Sequence, residues 1–170
     1  MGIFKAYDIR GIVPDEFNPD LAYKIANAAA QFLEVENIVV GRDMRMSSPA
    51  IGDAAKRGIR DAGVDVIDIG LCSTPASYFA NGAGGYGGSI MITASHNPAR
   101  YNGFKLCREQ AIPLSYETGI EEIEILFNPI QSSVKIYFGF LRAFVPRLRA
   151  SRYGGQALWH NWVAGVARLR

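Results

Sequence analysis

The stretch MITASHNPARYNGFK, residues 91–105, collects a hydroxyl (Ser95), an imidazole (His96), two amides (Asn97 and Asn102) and an amine (Lys105). His96 is one of only two histidines in the chain. So many polar groups on one stretch raise the question of a chemical role. A turn without chemistry is the competing reading, because Ser, Asn and Pro all favour turns and Asn97-Pro98 would place one here. A Ser–His hydrolase arrangement is the weaker reading. Neighbours on an extended chain point to opposite sides, so His96 is not placed to act as base for Ser95. GAGGYG, residues 82–87, matches the spacing of a dinucleotide loop, but it precedes a strand-like segment instead of following one. It reads as a flexible connection, and no nucleotide cofactor is expected.

The elements that must position this loop alternate along the chain. GIFKAYDI reads as a strand. Asn18-Pro19 then supplies a cap and a proline at the first helical position, before DLAYKIANAAAQFLEVE. NIVVG is a short buried strand. Ser48-Pro49 repeats the cap-and-proline signal ahead of a second helix, which Gly63 stops. VDVIDIG, a helix in STPASYFANGAG, the strand GSIMITA, a possible strand in GFKLC and the acidic helix SYETGIEEIEILF follow, with Ile120, Ile123 and Phe127 at apolar positions. The expected class is α/β: a three-layer α/β/α domain with a mainly parallel, mixed sheet over residues 1–128. Ligands of such sheets lie at the carboxyl ends of strands. There the sequence places DIRG, GRDMR, GLCST and SHNP.

Charge marks a boundary. Residues 1–130 carry 11 Lys/Arg against 16 Asp/Glu, whereas residues 131–170 carry 7 Lys/Arg and no acid. The segment 129–170 is expected to be an irregular basic tail, read as aberrant or out of frame and not as an independent domain. A basic surface segment touching membrane or nucleic acid is the alternative. The two cysteines, Cys72 and Cys107, are too few for a disulfide framework. No secretory signal opens the chain and no run of about 18 apolar residues occurs. A cytoplasmic protein is expected, with neither nucleic acid nor membrane as partner.

FKAYDIRG, VGRDMR, TASHNP and YNGFK, in this order and spacing over about residues 3–128, resemble the first domain of the α-D-phosphohexomutases, most of all the bacterial phosphomannomutase/phosphoglucomutase branch. The resemblance implies an isomerase, an intramolecular phosphotransferase that moves phosphate between C6 and C1 of mannose or glucose. Ser95 would carry the phosphoryl group and pass it through a bisphosphorylated sugar. Phosphoryl transfer depends mainly on positioning and charge neutralisation, which accounts for so polar a loop.

The resemblance assigns further roles. Lys105 and Arg10 would assist proton transfer at the substrate hydroxyl, the guanidinium favouring a neutral amine beside it. His96 would bond within the loop or to the phosphate, and Asp8 would orient Arg10. Tyr7, Arg10 and Asn102 would line the substrate cleft, with Tyr7 and Arg10 on the loop after the first strand. Asn102-Gly103 would form a tight turn returning Lys105 towards Ser95. Arg42, Asp43 and Arg45 either support the phosphoserine loop electrostatically or form an interdomain or loop-bracing ion pair, with Arg42 the weaker candidate for direct contact. Mg2+ is implied as cofactor, with Ser95 its one ligand here, and glucose 1,6-bisphosphate as phosphorylating activator. Hexose phosphates are the implied substrates, and domains II–IV of a four-domain enzyme the implied partners. The chain is thus expected to be an N-terminal fragment, inactive alone. A phosphoglucosamine mutase fragment or a non-catalytic basic-tailed binding module are the alternatives.

Overall fold

The computed structural model describes residues 2–128. The expectations for the tail lie outside the described residues. Five strands and four helices alternate: β1 (Ile9–Ile12), α1 (Pro19–Leu33), β2 (Asn37–Arg42), α2 (Ser48–Asp61), β3 (Asp65–Leu71), α3 (Thr74–Gly84), β4 (Gly88–Ile92), β5 (Tyr101–Arg108) and α4 (Ile120–Phe127). The strands form one sheet in the order β1-β5-β4-β2-β3. β2 pairs parallel with β3 and β4, while β5 pairs antiparallel with β4 and β1. The sheet is therefore mixed, with half of its pairings parallel, because β5 follows β4 through a short loop that leaves no room for a crossover helix.

Local signals explain the helices. Asn18 accepts the Leu21 N–H at 3.0 Å and Pro19 opens α1. Ser73 accepts the Ala76 N–H at 3.3 Å at the head of α3. Gly63 takes a φ of 83° just past α2. The start of α2 departs from expectation: the cap position is Ser47, without a side-chain cap bond, and Ser48 is already helical. Its hydroxyl is taken by Asp43, at 2.6 Å. GAGGYG is likewise the closing turn of α3, its left-handed cap and the entry to β4, instead of a loop.

Strand alternation divides the side chains into two layers. Ile9, Ile38, Val40, Ile90, Ile92, Phe104 and Leu106 share the main core with Ile25, Ala26 and Ala29 of α1, Ile51, Ala55 and Ile59 of α2, and Ile120 and Ile123 of α4. Small residues let α1 and α2 approach closely. A Cβ on Gly58 would stand 2.2 Å from the Tyr23 carbonyl oxygen. The opposite face of the sheet presents Val39, Met91 and Cys107. There α3 is fastened through Asn81, whose Nδ2 donates to the Arg108 carbonyl at 2.9 Å.

Candidate active site

The loop Thr93–Arg100 leaves the carboxyl end of β4, the central strand, which is buried throughout. Ser95 adopts a φ of 54°. A left-handed conformation costs an ordinary residue roughly 1–2 kcal/mol, so neighbours must impose it. The Ser95 N–H donates to Thr93 Oγ1 at 2.9 Å and the Asn97 N–H to the Ala94 carbonyl at 3.1 Å, closing the turn. Ser95 Oγ is left exposed, 3.4 Å from His96 Nδ1. This corrects the extended-chain argument against a Ser95–His96 contact. The chain turns at Ser95, so the two neighbouring side chains face each other.

Beside the loop runs a cleft of about 490 Å³ lined by Lys5, Ala6, Tyr7, Asp8, Arg10, Glu16, Asn97 and Tyr101. Tyr7 is 74% exposed on its rim. The first strand is not where GIFKAYDI suggested: Tyr7 and Asp8 precede it and Arg10 lies within it. Pairing sets its position. Ile9 is opposite Phe104, and Phe104 opposite Ile92, all in the main core. Asp8, Arg10 and Lys105 alternate with these residues and so project together from the other face.

Asp8 is the hub of that cluster. Its carboxylate pairs with the Arg10 guanidinium and stands 3.7 Å from Lys105 Nζ. Asp8 thus orients Arg10 and also places its carboxylate beside Lys105. Arg10 Nη1 donates to Asn97 Oδ1 at 2.9 Å, which links the cleft to the Ser95 loop, while Arg10 Nε is buried with no partner among the described residues. Asn97 thereby has a positioning part that its Asn-Pro context concealed; nothing in its spacing pointed to Arg10.

Asn102 departs from its expected place. Asn102 and Gly103 form no turn, lying inside β5, and Asn102 is fully buried. It shares the parity of Phe104, so it points into the core face, away from the cleft. Its Nδ2 donates to Ser47 Oγ at 2.8 Å and Ser48 Oγ at 3.0 Å, and its Oδ1 accepts the Gly103 N–H at 2.8 Å. It is an internal brace between β5 and the head of α2. Gly103 is needed because β1 passes so close: a Cβ there would lie 1.9 Å from the Ile9 carbonyl oxygen.

Arg45 spans from the loop after β2 to the Ser95 loop, donating to the carbonyls of Ser95, Asn97, Pro98 and Tyr101. Asp43 anchors it, Oδ2 accepting from Nε at 3.1 Å. Both cysteine thiols are pushed up by burial, so neither is a ready nucleophile.

The sequence signature of phosphoglucomutase/phosphomannomutase, alpha/beta/alpha domain I, matches residues 1–133. The chain belongs to this family. A phosphomannomutase of Klebsiella pneumoniae is 51% identical over 123 residues, covering 72% of this chain and 78% of that protein. A phosphomannomutase of Escherichia coli is also 51% identical over 123 residues, covering 72% of this chain but 27% of that protein. Among solved structures, a phosphoglucomutase/phosphomannomutase family protein from Burkholderia thailandensis superposes with a TM-score of 0.67 at 34% identity, over 79% of this chain and 30% of that one. The chain therefore spans about a quarter to a third of the latter two proteins. No described helix is long and apolar enough to cross a membrane.

Proposed function

We propose that this chain is the phosphoserine-bearing part of a phosphohexomutase that interconverts the 6- and 1-phosphates of mannose or glucose. The observation that carries the reading is Ser95: an exposed hydroxyl at a left-handed turn on the carboxyl end of the central strand, tied through Asn97 and Arg10 to a charged cleft lined by Lys5, Asp8, Arg10 and Glu16. In the forward half-reaction the phosphorus–Oγ bond of phosphoserine breaks and a bond forms to a sugar hydroxyl, whose proton passes to Lys105, while the departing Ser95 Oγ takes a proton from water and becomes the free hydroxyl. The return half-reaction restores phosphoserine from the other phosphate of the bisphosphorylated sugar. Arg10, with a buried N–H still unpartnered, offers charge to the transferring group. His96 bonds Ser95 Oγ between transfers, and Tyr7 lends the cleft an exposed wall.

Among the described residues no three His, Cys, Asp or Glu side chains are grouped to hold a metal ion. These residues do not make a complete Mg2+ site. Ser95 could contribute one oxygen, with the other ligands and the sugar-selecting groups supplied by domains II–IV.

The test is to incubate the chain with glucose 1,6-bisphosphate and Mg2+, adding domains II–IV of a relative as a separate polypeptide, and to map phosphopeptides by mass spectrometry. Phosphate is expected on Ser95 and lost in Ser95→Ala. Phosphate on Ser73, Ser77 or Ser89 with Ser95 unmodified refutes the assignment.

A further inference from the structure

We infer that Arg45 is a positioning residue that sets the backbone of the Ser95 loop and makes no contact of its own with phosphate. The inference rests on the reading of Ser95 as phosphate carrier. It decides between electrostatic support and bracing, which the sequence left open.

A guanidinium has five N–H donors. In Arg45 all five are engaged. Nε donates to Asp43 Oδ2 at 3.1 Å. Nη1 donates to the Pro98 carbonyl at 2.8 Å and to that of Tyr101 at 3.0 Å. Nη2 donates to the Ser95 carbonyl at 2.9 Å and to that of Asn97 at 2.7 Å. No donor remains for an incoming phosphate, and Asp43 balances the charge. Arg10 provides the contrast, since it keeps a buried N–H without a partner.

The carbonyls of residues 95, 97, 98 and 101 can meet at one group only if the chain curls around it. The loop has little apolar packing to hold that curl, since Ser95, His96, Pro98, Ala99 and Arg100 are all exposed. The guanidinium takes the place of a core. Its side chain is 11% exposed, and its anchor is itself anchored. Asp43 Oδ1 accepts the Arg45 N–H at 3.0 Å and the Ser48 hydroxyl at 2.6 Å, and Asn102 Nδ2 reaches Ser48 Oγ at 3.0 Å. A chain of polar contacts thus runs from β5 and the head of α2, through Asp43 and Arg45, to the backbone of Ser95. A lysine has three donors on a point charge and cannot reproduce a planar fork.

The experiment uses the intact 170-residue chain, isotopically labelled, without sugar or metal. In the native protein the Arg45 guanidinium should show separately resolved Nη–H signals and a slowly exchanging Nε–H, because rotation is blocked on both edges. In Arg45→Met the carbonyl carbon shifts of Ser95, Asn97, Pro98 and Tyr101 should move together. Exchange of the Asn97 and Tyr101 amides should rise about tenfold or more, a loss of about 1.4 kcal/mol of protection, while amides of β2 and α1 stay as they were. Methylguanidinium added to Arg45→Ala should restore the loop signals in part, and Arg45→Lys should restore less. Rotationally averaged Arg45 signals in the native protein would overturn the inference, even if the variants fail to fold. So would an increase in exchange spread evenly over the sheet. No arm uses phosphosugar, so failure of Ser95 to take up phosphate would defeat the proposed function and leave this measurement standing.

Discussion

Replacing Asn102 by alanine separates an internal brace from a substrate ligand. The side chain is fully buried and makes three hydrogen bonds, to Ser47 Oγ, Ser48 Oγ and the Gly103 N–H. Ser48 retains Asp43 as a partner, so its hydroxyl is not orphaned. Ser47 loses a donor, and the buried Gly103 N–H loses its side-chain acceptor. With a net bond worth about 1 kcal/mol and a buried unpaired donor costing about 1–3 kcal/mol, Asn102→Ala should lose about 2–4 kcal/mol. For a domain of this size that is a fall in Tm of about 8–16 °C, read by circular dichroism on heating. Asn102→Asp should lose at least as much. It keeps an acceptor for Gly103, but both Nδ2 donors are gone and the Ser48 hydroxyl cannot serve two carboxylates at once. A Tm within about 2 °C of native, a change under about 0.5 kcal/mol, would refute the brace. If hexose phosphate binding were then the property lost, Asn102 would be a substrate ligand after all.

Gly58→Ala should destabilise by about 3 kcal/mol or more, at the upper end of overpacking costs, because the new methyl meets backbone oxygen at 2.2 Å and not a movable side chain; an unchanged urea midpoint would show that α1 and α2 can part freely. Lys56 is raised chiefly by its hydrogen bond to Asp68, and Asp68 is lowered chiefly by the same bond. The Asp68 contribution is present above the unfolded carboxylate value of about 3.9 and lost as pH falls through its lower folded value; that of Lys56 is complete below about 10.4 and lost as pH rises through its raised folded value. Native and Lys56→Met should accordingly differ most between about pH 4 and 10, by at most about 1 kcal/mol for so exposed a pair, and converge in acid; a gap that widens below pH 3 contradicts the assignment. Iodoacetamide at neutral pH should leave Cys107 untouched in the folded chain and modify Cys72 slowly, since burial raises both thiols; rapid labelling of Cys107, followed by mass spectrometry, would mean that the α3 face of the sheet opens readily.

The alternation of strands and helices was legible in the sequence because its signals are local. Asn18-Pro19 and Ser73 act within one turn of the helix they start, Gly63 takes its positive φ at the residue itself, and the short apolar run of NIVVG, buried on both faces, shows in consecutive residues. The four short motifs were equally legible, and they carried the family, which the match over residues 1–133 bears out. What the sequence could not carry was register. Whether Arg10 lies in a strand or after it depends on Ile9 pairing with Phe104, a contact across more than ninety residues. That same register turns Lys105, Asp8 and Arg10 to one face and buries Asn102 on the other, which no count of spacing along YNGFK reveals. Asn-Gly is a turn signal until a neighbouring strand supplies hydrogen bonds that outweigh it. Arg45 makes the point most sharply: GRDMR announces a cationic loop, but only the folded chain brings three carbonyls of the Ser95 loop and that of Tyr101 at the start of β5 within reach and leaves that guanidinium with nothing to offer a phosphate. Local chemistry is written in residue order, whereas the use each polar group makes of its donors is settled by what folding places beside it.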